Sequence, residues 1–206
     1  IFFSFILILS IPSIFDYKKL QSDIEKQIES DFKISIINTA NIEYRFIPSP
    51  HLVIAKSELY LGNTNERKIS DLKNVKIFIS LFQLYNNKRV DIKKIKFSNE
   101  NLYFNKDSLI NFLNHLNSKN TKPLLIDKSK FFYLSGKEEV TTIAQIKKLR
   151  YDINDKTKQK KFKIKGKLFD TDFDFKWNKE KNENNSNFKI KFKNPNITFE
   201  NYLKIE

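Results

Sequence analysis

Residues 161–177 read KFKIKGKLFDTDFDFKW, and apolar and charged residues alternate through most of the run. Phe162, Ile164, Gly166 and Leu168 share one side of a strand, and Phe173, Phe175 and Trp177 share one side of the next. Successive side chains of a strand point to opposite faces, so each strand carries one apolar and one Lys/Asp face. A sheet of this kind is antiparallel and has to cover its apolar side.

The alternation extends outward in both directions. Residues 188–192 repeat it, Ile197 and Phe199 begin another strand, and the polar stretch 179–187 reads as a long hairpin loop. Upstream, 124–134 carries Leu125, Phe131 and Tyr133, and 140–153 carries Leu149, Tyr151 and Ile153. Before a polar linker at 118–123, further strands carry Ile34 and Ile36, then Ile42, Tyr44 and Phe46, then Val53, Ala55, Leu59 and Leu61. Val75, Ile77, Ile79 and Leu81 line one face of 72–85, and Leu102 and Phe104 mark a short strand. The parity shift between Ile92 and Ile95 predicts a bulge. Pro48 and Pro50, just after Phe46, remove ladder donors and force an extended break. Gly62-Asn63-Thr64-Asn65 reads as a turn.

Two segments have the helical period instead. Tyr17, Leu20, Ile24, Ile28 and Phe32 fall at steps of three and four and predict an amphipathic helix over 16–32. Leu109, Phe112, Leu113 and Leu116 predict a second over 107–116, with Asp107 as its N-cap and His115 near its apolar face. Residues 1–15, IFFSFILILSIPSIF, are apolar apart from three Ser and Pro12. As a helix they span roughly 22 Å, against a hydrocarbon core of ~30 Å. They read as part of a transmembrane anchor, with a signal-peptide core as the rival reading and a buried N-terminal helix as the third. The first two put the rest of the chain outside the cytosol.

The expected fold is mainly β with an α+β flavour: about ten strands in a curved antiparallel sheet or groove. An N-terminal membrane helix and one or two short helices accompany it. The segments are anchor (1–15), helix (16–32), first β segment with its terminal helix (33–117), linker (118–123) and second β segment (124–206).

Composition narrows the chemistry. The chain has 206 residues, no Cys, three Gly and two His, His51 and His115. Thiolate sites, a Cys nucleophile, a His cage, a Gly-rich phosphate loop and a dinucleotide fingerprint are excluded. The formal charge is +14, but Arg45, Arg67, Arg89 and Arg150 are the only arginines. Lys, Asn, Ile, Phe and Tyr make up more than half the chain, the signature of AT-rich codons. Nucleic-acid readers favour Arg, whose planar fork pairs with phosphate and guanine, so no nucleic-acid partner is expected. Asp170, Asp172 and Asp174 share one strand parity and are the only arrangement resembling paired acids. Surrounded by Lys, they read as a solvated face. No enzyme, metal or cofactor is expected.

Two helices look too few to cover so many strands. Either the sheet closes on itself, or its apolar face lines an open groove. A lipid chain is the natural filler beside a membrane anchor. Each buried methylene gains ~0.8 kcal/mol, so a shielded acyl chain gains on the order of 10 kcal/mol. The groove candidates are Ile42, Tyr44, Phe46, Val75, Ile77 and Ile79, with Phe162, Ile164, Phe173 and Phe175 from the second segment.

The order of features resembles the N-terminal part of the AsmA family of inner-membrane-anchored periplasmic proteins. The likeness runs through the apolar 1–15, LQSDIEKQIESDF at 20–32 and KISI at 33–36. It continues in NIEYRFIPSPHLVIAKSELYL at 41–61 with its Phe46, Pro48, Pro50 motif, and in the strands of 69–104. DSLINFLNHL at 107–116 is similar to the helix that follows in that family, whereas 124–206 matches only loosely. Ser30-Asp31-Phe32 departs from the Thr-Gly step usual there. The resemblance implies a repeating β groove of the chorein type, an N-terminus in the cytosol and a bulk in the periplasm. It implies phospholipid, the inner membrane and other envelope proteins as partners. The implied role is moving phospholipid between the inner and outer membranes. The alternative is an anchored scaffold for outer-membrane assembly with a closed β core. About ten strands at ~4.8 Å give a groove of roughly 50 Å, comparable to one bilayer.

Overall fold

The computed structural model describes residues 12, 16–61, 67–87, 90–117, 122–136, 138–154, 156–157, 159–179 and 185–204. Apart from Pro12, the expected anchor at 1–15 lies outside the described residues, as do the turn at 62–65 and positions 118–121 of the linker. Among the described residues no helix is long and apolar enough to cross a membrane. The described residues form twelve strands and three helices. The protein is mainly β, and its strands form an open, mixed, mostly antiparallel sheet. The chain divides into two compact units, Ile1–Phe97 and Ser98–Glu206, so the segment 118–123 falls within the second.

The first unit contains α1 (Gln21–Phe32), β1 (Ile34–Asn38), β2 (Ile42–Arg45), β3 (His51–Leu61), β4 (Lys68–Ile79), α2 (Leu81–Asn87) and most of β5 (Ile92–Ser98). The strands are ordered β1-β3-β4-β5, β2 also pairs with β3, and all these pairs are antiparallel. The helix expected over 16–32 begins only at Gln21: Ile24, Ile28 and Phe32 are its buried stripe, Tyr17 is buried in the turn before it, Leu20 is only partly covered, and the helix packs on β1. The helix stops because Lys33 turns left-handed (φ 56°), its N–H donating to the Glu29 carbonyl at 3.0 Å. The Glu25 carboxylate accepts the Asn38 N–H at 3.0 Å and so ties α1 to the far end of β1.

The bulge expected near Ile92 is present. Ile77 faces Ile95 but Ile79 faces Ile92, leaving one extra residue on β5. Two readings change. Ala55 is exposed rather than on the buried face of β3: the register is the same on either side of it, with Ile54 on Val75 and Lys56 on Lys73, but Asn74 of β4 turns left-handed there (φ 58°) and the buried parity changes. The strand expected over 72–85 ends at Ile79, and Leu81 opens a helix instead. Leu81 and Leu84 are three apart, a spacing that suits a helical turn, and the Leu84 N–H donates to the Ser80 carbonyl at 3.1 Å.

The second unit contains β6 (Asn101–Phe104), α3 (Lys106–Asn117), β7 (Leu124–Leu134), β8 (Val140–Ile153), β9 (Lys160–Leu168), β10 (Thr171–Lys179), β11 (Asn185–Phe192) and β12 (Ile197–Lys204). The strands run β7-β8-β9-β10-β11-β12 as an antiparallel meander, with β6 also on β7. The β6–β7 pair is parallel, which corrects the purely antiparallel expectation. A parallel pair needs a crossover connection, and α3 lies in it. The N-cap of α3 is Asn105, not Asp107. The Ser108 N–H donates to Asn105 Oδ1 and the Asn105 N–H to Ser108 Oγ, both at 2.8 Å. This reciprocal cap satisfies two otherwise orphaned donors. Phe112 of α3 is buried, its ring centroid 5.6 Å from that of Phe104, which in turn lies 5.1 Å from Phe131. On β7 the buried side chains are Leu124, Ile126, Ser129 and Leu134, while Leu125 is only partly covered. Lys128, left-handed at φ 50°, resets the parity between Ile126 and Ser129.

Candidate functional site

The ten candidate residues fall into two sets, one in each unit. In the first unit, cross-strand register brings them onto shared rows. Ile42 faces Ile54, which faces Val75, and Tyr44 faces Leu52, which faces Ile77. Val75 and Ile77 are fully buried and Ile79 is 7% exposed. Ile42, Tyr44 and Phe46 are partly buried, and Phe46, Pro48 and Pro50 lie just beyond β2. Tyr17 stacks on Tyr44 with ring centroids 6.3 Å apart. Burial, then the neighbouring Tyr85, pushes the Tyr44 phenol up to about 12. Burial raises that of Tyr17 further, with Tyr44 and Tyr85 adding to it. His51 is buried at the start of β3, its ring 5.6 Å from that of Phe78 and its Nδ1 2.6 Å from the Ser49 carbonyl oxygen.

The second unit is different. Its register lines up apolar side chains across consecutive strands. One row runs Ile126, Leu149, Ile164, Phe175, Ile190, Phe199; another runs Tyr151, Phe162, Trp177, Phe188. A third passes Ile146, Gly166, Phe173, Phe192 and Ile197. Cover falls steadily along the rows. Ile126, Leu149 and Tyr151 are fully buried and Phe162 is 4% exposed. Ile164, Phe173, Phe175 and Trp177 are partly exposed, as are Phe188, Ile190 and Phe192. Ile197 is 40% and Phe199 57% exposed. The apolar face of the sheet is therefore covered at β7 and β8 and about half exposed at β12.

The opposite face is polar and basic. Arg150, Lys163, Lys176 and Lys189 stand directly opposite one another on four adjacent strands, with Glu200 ending the row. Like charges directly opposed cost stability. Asp172 is hydrogen-bonded by Lys147 at 2.8 Å, which holds its carboxyl below the usual range. Asp174 lies 3.5 Å from Lys165. Asp170 is in the turn rather than on the strand, so the three acids do not converge. Among the described residues no group of His, Asp and Glu could hold a metal ion.

Sequence reading missed an apolar cluster on this polar face. Tyr103 stacks on Phe132 with centroids 4.8 Å apart, and Phe132 faces Ile143. Beside them a shallow cleft of about 380 Å³ is lined by Val140, Ile143 and Phe169, with Lys130, Lys167 and Gln145 among its polar walls. Val140 is 48%, Ile143 46% and Phe169 74% exposed. Phe169 and Asp170 form the tight β9–β10 turn, both left-handed, at φ 47° and 58°. Such turns favour Asn, Asp or Gly, and a bulky side chain there costs roughly 1–2 kcal/mol. The missed signal was the two-residue gap between the alternating runs, which requires this turn and puts Phe at its first position.

An open, mainly β protein with a graded apolar face is the class these features define. The chain matches no protein-family model and no curated protein.

Proposed function

We propose that this chain is a membrane-anchored envelope protein of AsmA type that holds phospholipid on an apolar β trough and passes it between the inner and outer membranes. The observation that carries the reading is the apolar face of β8–β12, whose rows stay in register while their cover thins from full burial at Leu149 to 57% exposure at Phe199. Such a surface fits an acyl chain: long, apolar, with no polar group to fix one position. A chain shielded along it gains on the order of 10 kcal/mol over water, and the lack of a deep pocket permits sliding. Ile164, Phe173 and Phe175 belong to this trough, joined by Ile190, Ile197 and Phe199. The envelope setting and the anchor rest on the sequence resemblance of residues 1–117 and on the apolar stretch 1–15.

A scaffold reading has one observation in its favour. Val75, Ile77 and Ile79 are sealed inside the first unit, which makes them part of a closed core. A closed unit can serve as a contact surface for outer-membrane assembly without carrying lipid.

Mass spectrometry of the purified chain separates the two. Co-purified phospholipid is expected, and Ile197→Asp with Phe199→Asp should remove it without lowering Tm, since both side chains are exposed. A chain that carries no lipid, or keeps it fully in the double variant, sinks the trough.

A further inference from the structure

We infer that the tip of the β9–β10 hairpin docks the second unit end-on against an anionic lipid bilayer, with the Phe169 ring among the headgroups. Four observations converge there. Phe169 is 74% exposed, although its side chain is large and apolar. It occupies a left-handed turn position that disfavours it, so the fold keeps an exposed ring where Asn or Gly would sit without strain. Val140 and Ile143, also exposed, line the same cleft and extend the apolar tip. Lys130 and Lys167 line it beside the Asp170 carboxylate, and their long stems tolerate apolar surroundings while their ammonium groups can reach phosphate.

The basic character continues behind the tip in Lys163 and Lys176, spread over neighbouring strands rather than converging on a point. Converging charges suit a compact ligand, whereas a spread of lysines behind an apolar tip suits an extended anionic plane. Among the described residues no guanidinium group, the kind that favours nucleic acid, lines the cleft. The tip also lies at the end of the sheet where the bare apolar face finishes. The Lys193 N–H of the β11–β12 turn donates to the Asp172 carbonyl at 3.0 Å, one residue past Phe192, which faces Ile197. End-on docking therefore brings the uncovered end of that face to the bilayer surface. The inference goes beyond the lipid-trough reading and does not depend on what the opposite face carries.

Phe169→Trp reports from the tip itself, and the wild type, with Trp177 as its one tryptophan, supplies the baseline. With vesicles of phosphatidylcholine and phosphatidylglycerol, the variant's extra emission should shift to the blue. The shift should be absent with phosphatidylcholine alone and reversed by salt, which screens exposed charges. No shift on the anionic vesicles, an equal shift on neutral ones, or an equal response to duplex DNA overturns the assignment. Phe169→Gly suits the left-handed turn and should leave Tm unchanged or higher. A lower Tm would make the ring part of the core and overturn it as well.

Discussion

Phe173 stands directly opposite Gly166 on the neighbouring strand, with its Cε1 3.2 Å from where a Gly166 Cβ would lie. The same Cβ would come within 2.2 Å of the Gln145 carbonyl oxygen, a backbone atom that has no room to yield. Gly166 thus lets β8 and the Phe173 ring close over one point of the apolar face. Gly166→Ala is expected to destabilise the second unit by about 1–3 kcal/mol, as overpacking does. A urea midpoint equal to that of the wild type would contradict it.

Tyr44 gives the first unit an alkaline limit. Its folded value of about 12 lies above the unfolded value of about 10. The stability it contributes is complete below pH ~10 and is lost as pH rises towards ~12. Tyrosinate absorbance should show a late step near that pH, together with loss of structure. Tyr44→Phe should remove part of the step, and an unchanged titration would refute the assignment.

Asp172 and Glu200 act at the other end of the scale. Hydrogen bonds from Lys147 and Lys189 hold both carboxyls below their ordinary range. Their contribution is present above the unfolded values of about 4 and is lost as pH falls through the lower folded ones. In a chemical-shift titration, Lys147→Met should move the Asp172 midpoint upward. A midpoint that stays in place would show the lysine to be irrelevant.

The α3 cap is a local test. Asn105→Ala removes the oxygen that accepts the Ser108 N–H and should cost about 1 kcal/mol. Asn105→Asp keeps an acceptor and should cost less. Equal Tm losses for the two variants would show that the cap bond is not what matters.

Core and open face should respond differently to truncation. Ile77 is fully buried, so Ile77→Ala should cost about 2–5 kcal/mol. Phe199 is 57% exposed, so Phe199→Ser should stay within about 0.5 kcal/mol. Equal losses in thermal unfolding would mean that the outer strands are covered after all.

The strands of residues 161–177 were legible because a period of two needs nothing but neighbours in sequence. The stripe on α1 and the bulge between Ile92 and Ile95 were legible for the same reason. Where a backbone irregularity intervenes, periodicity loses its phase. Asn74 and Lys128 turn left-handed and reset the buried parity near Ala55 and Leu125. Leu81 fits a strand and a helix equally well, and Ser80 with Leu84 decides for the helix. The N-cap was misread by two residues because Asn105 and Asp107 both suit the role, and only the reciprocal bond to Ser108 separates them.

What the amino acids determined alone is which side chains share a face, since alternation and helical spacing are local geometry. They also determined the chemistry that is missing, since a chain without Cys cannot make a thiolate site. Which apolar faces are covered was decided by the tertiary structure. Ile77 and Phe175 look alike in their strands, yet one is sealed and the other is partly bare. Cover depends on elements distant in sequence coming to lie over a strand, and no local pattern encodes that. The Phe169 tip belongs to the same category, because a lone phenylalanine between two strands gains meaning only from the turn that exposes it and the lysines the sheet sets beside it.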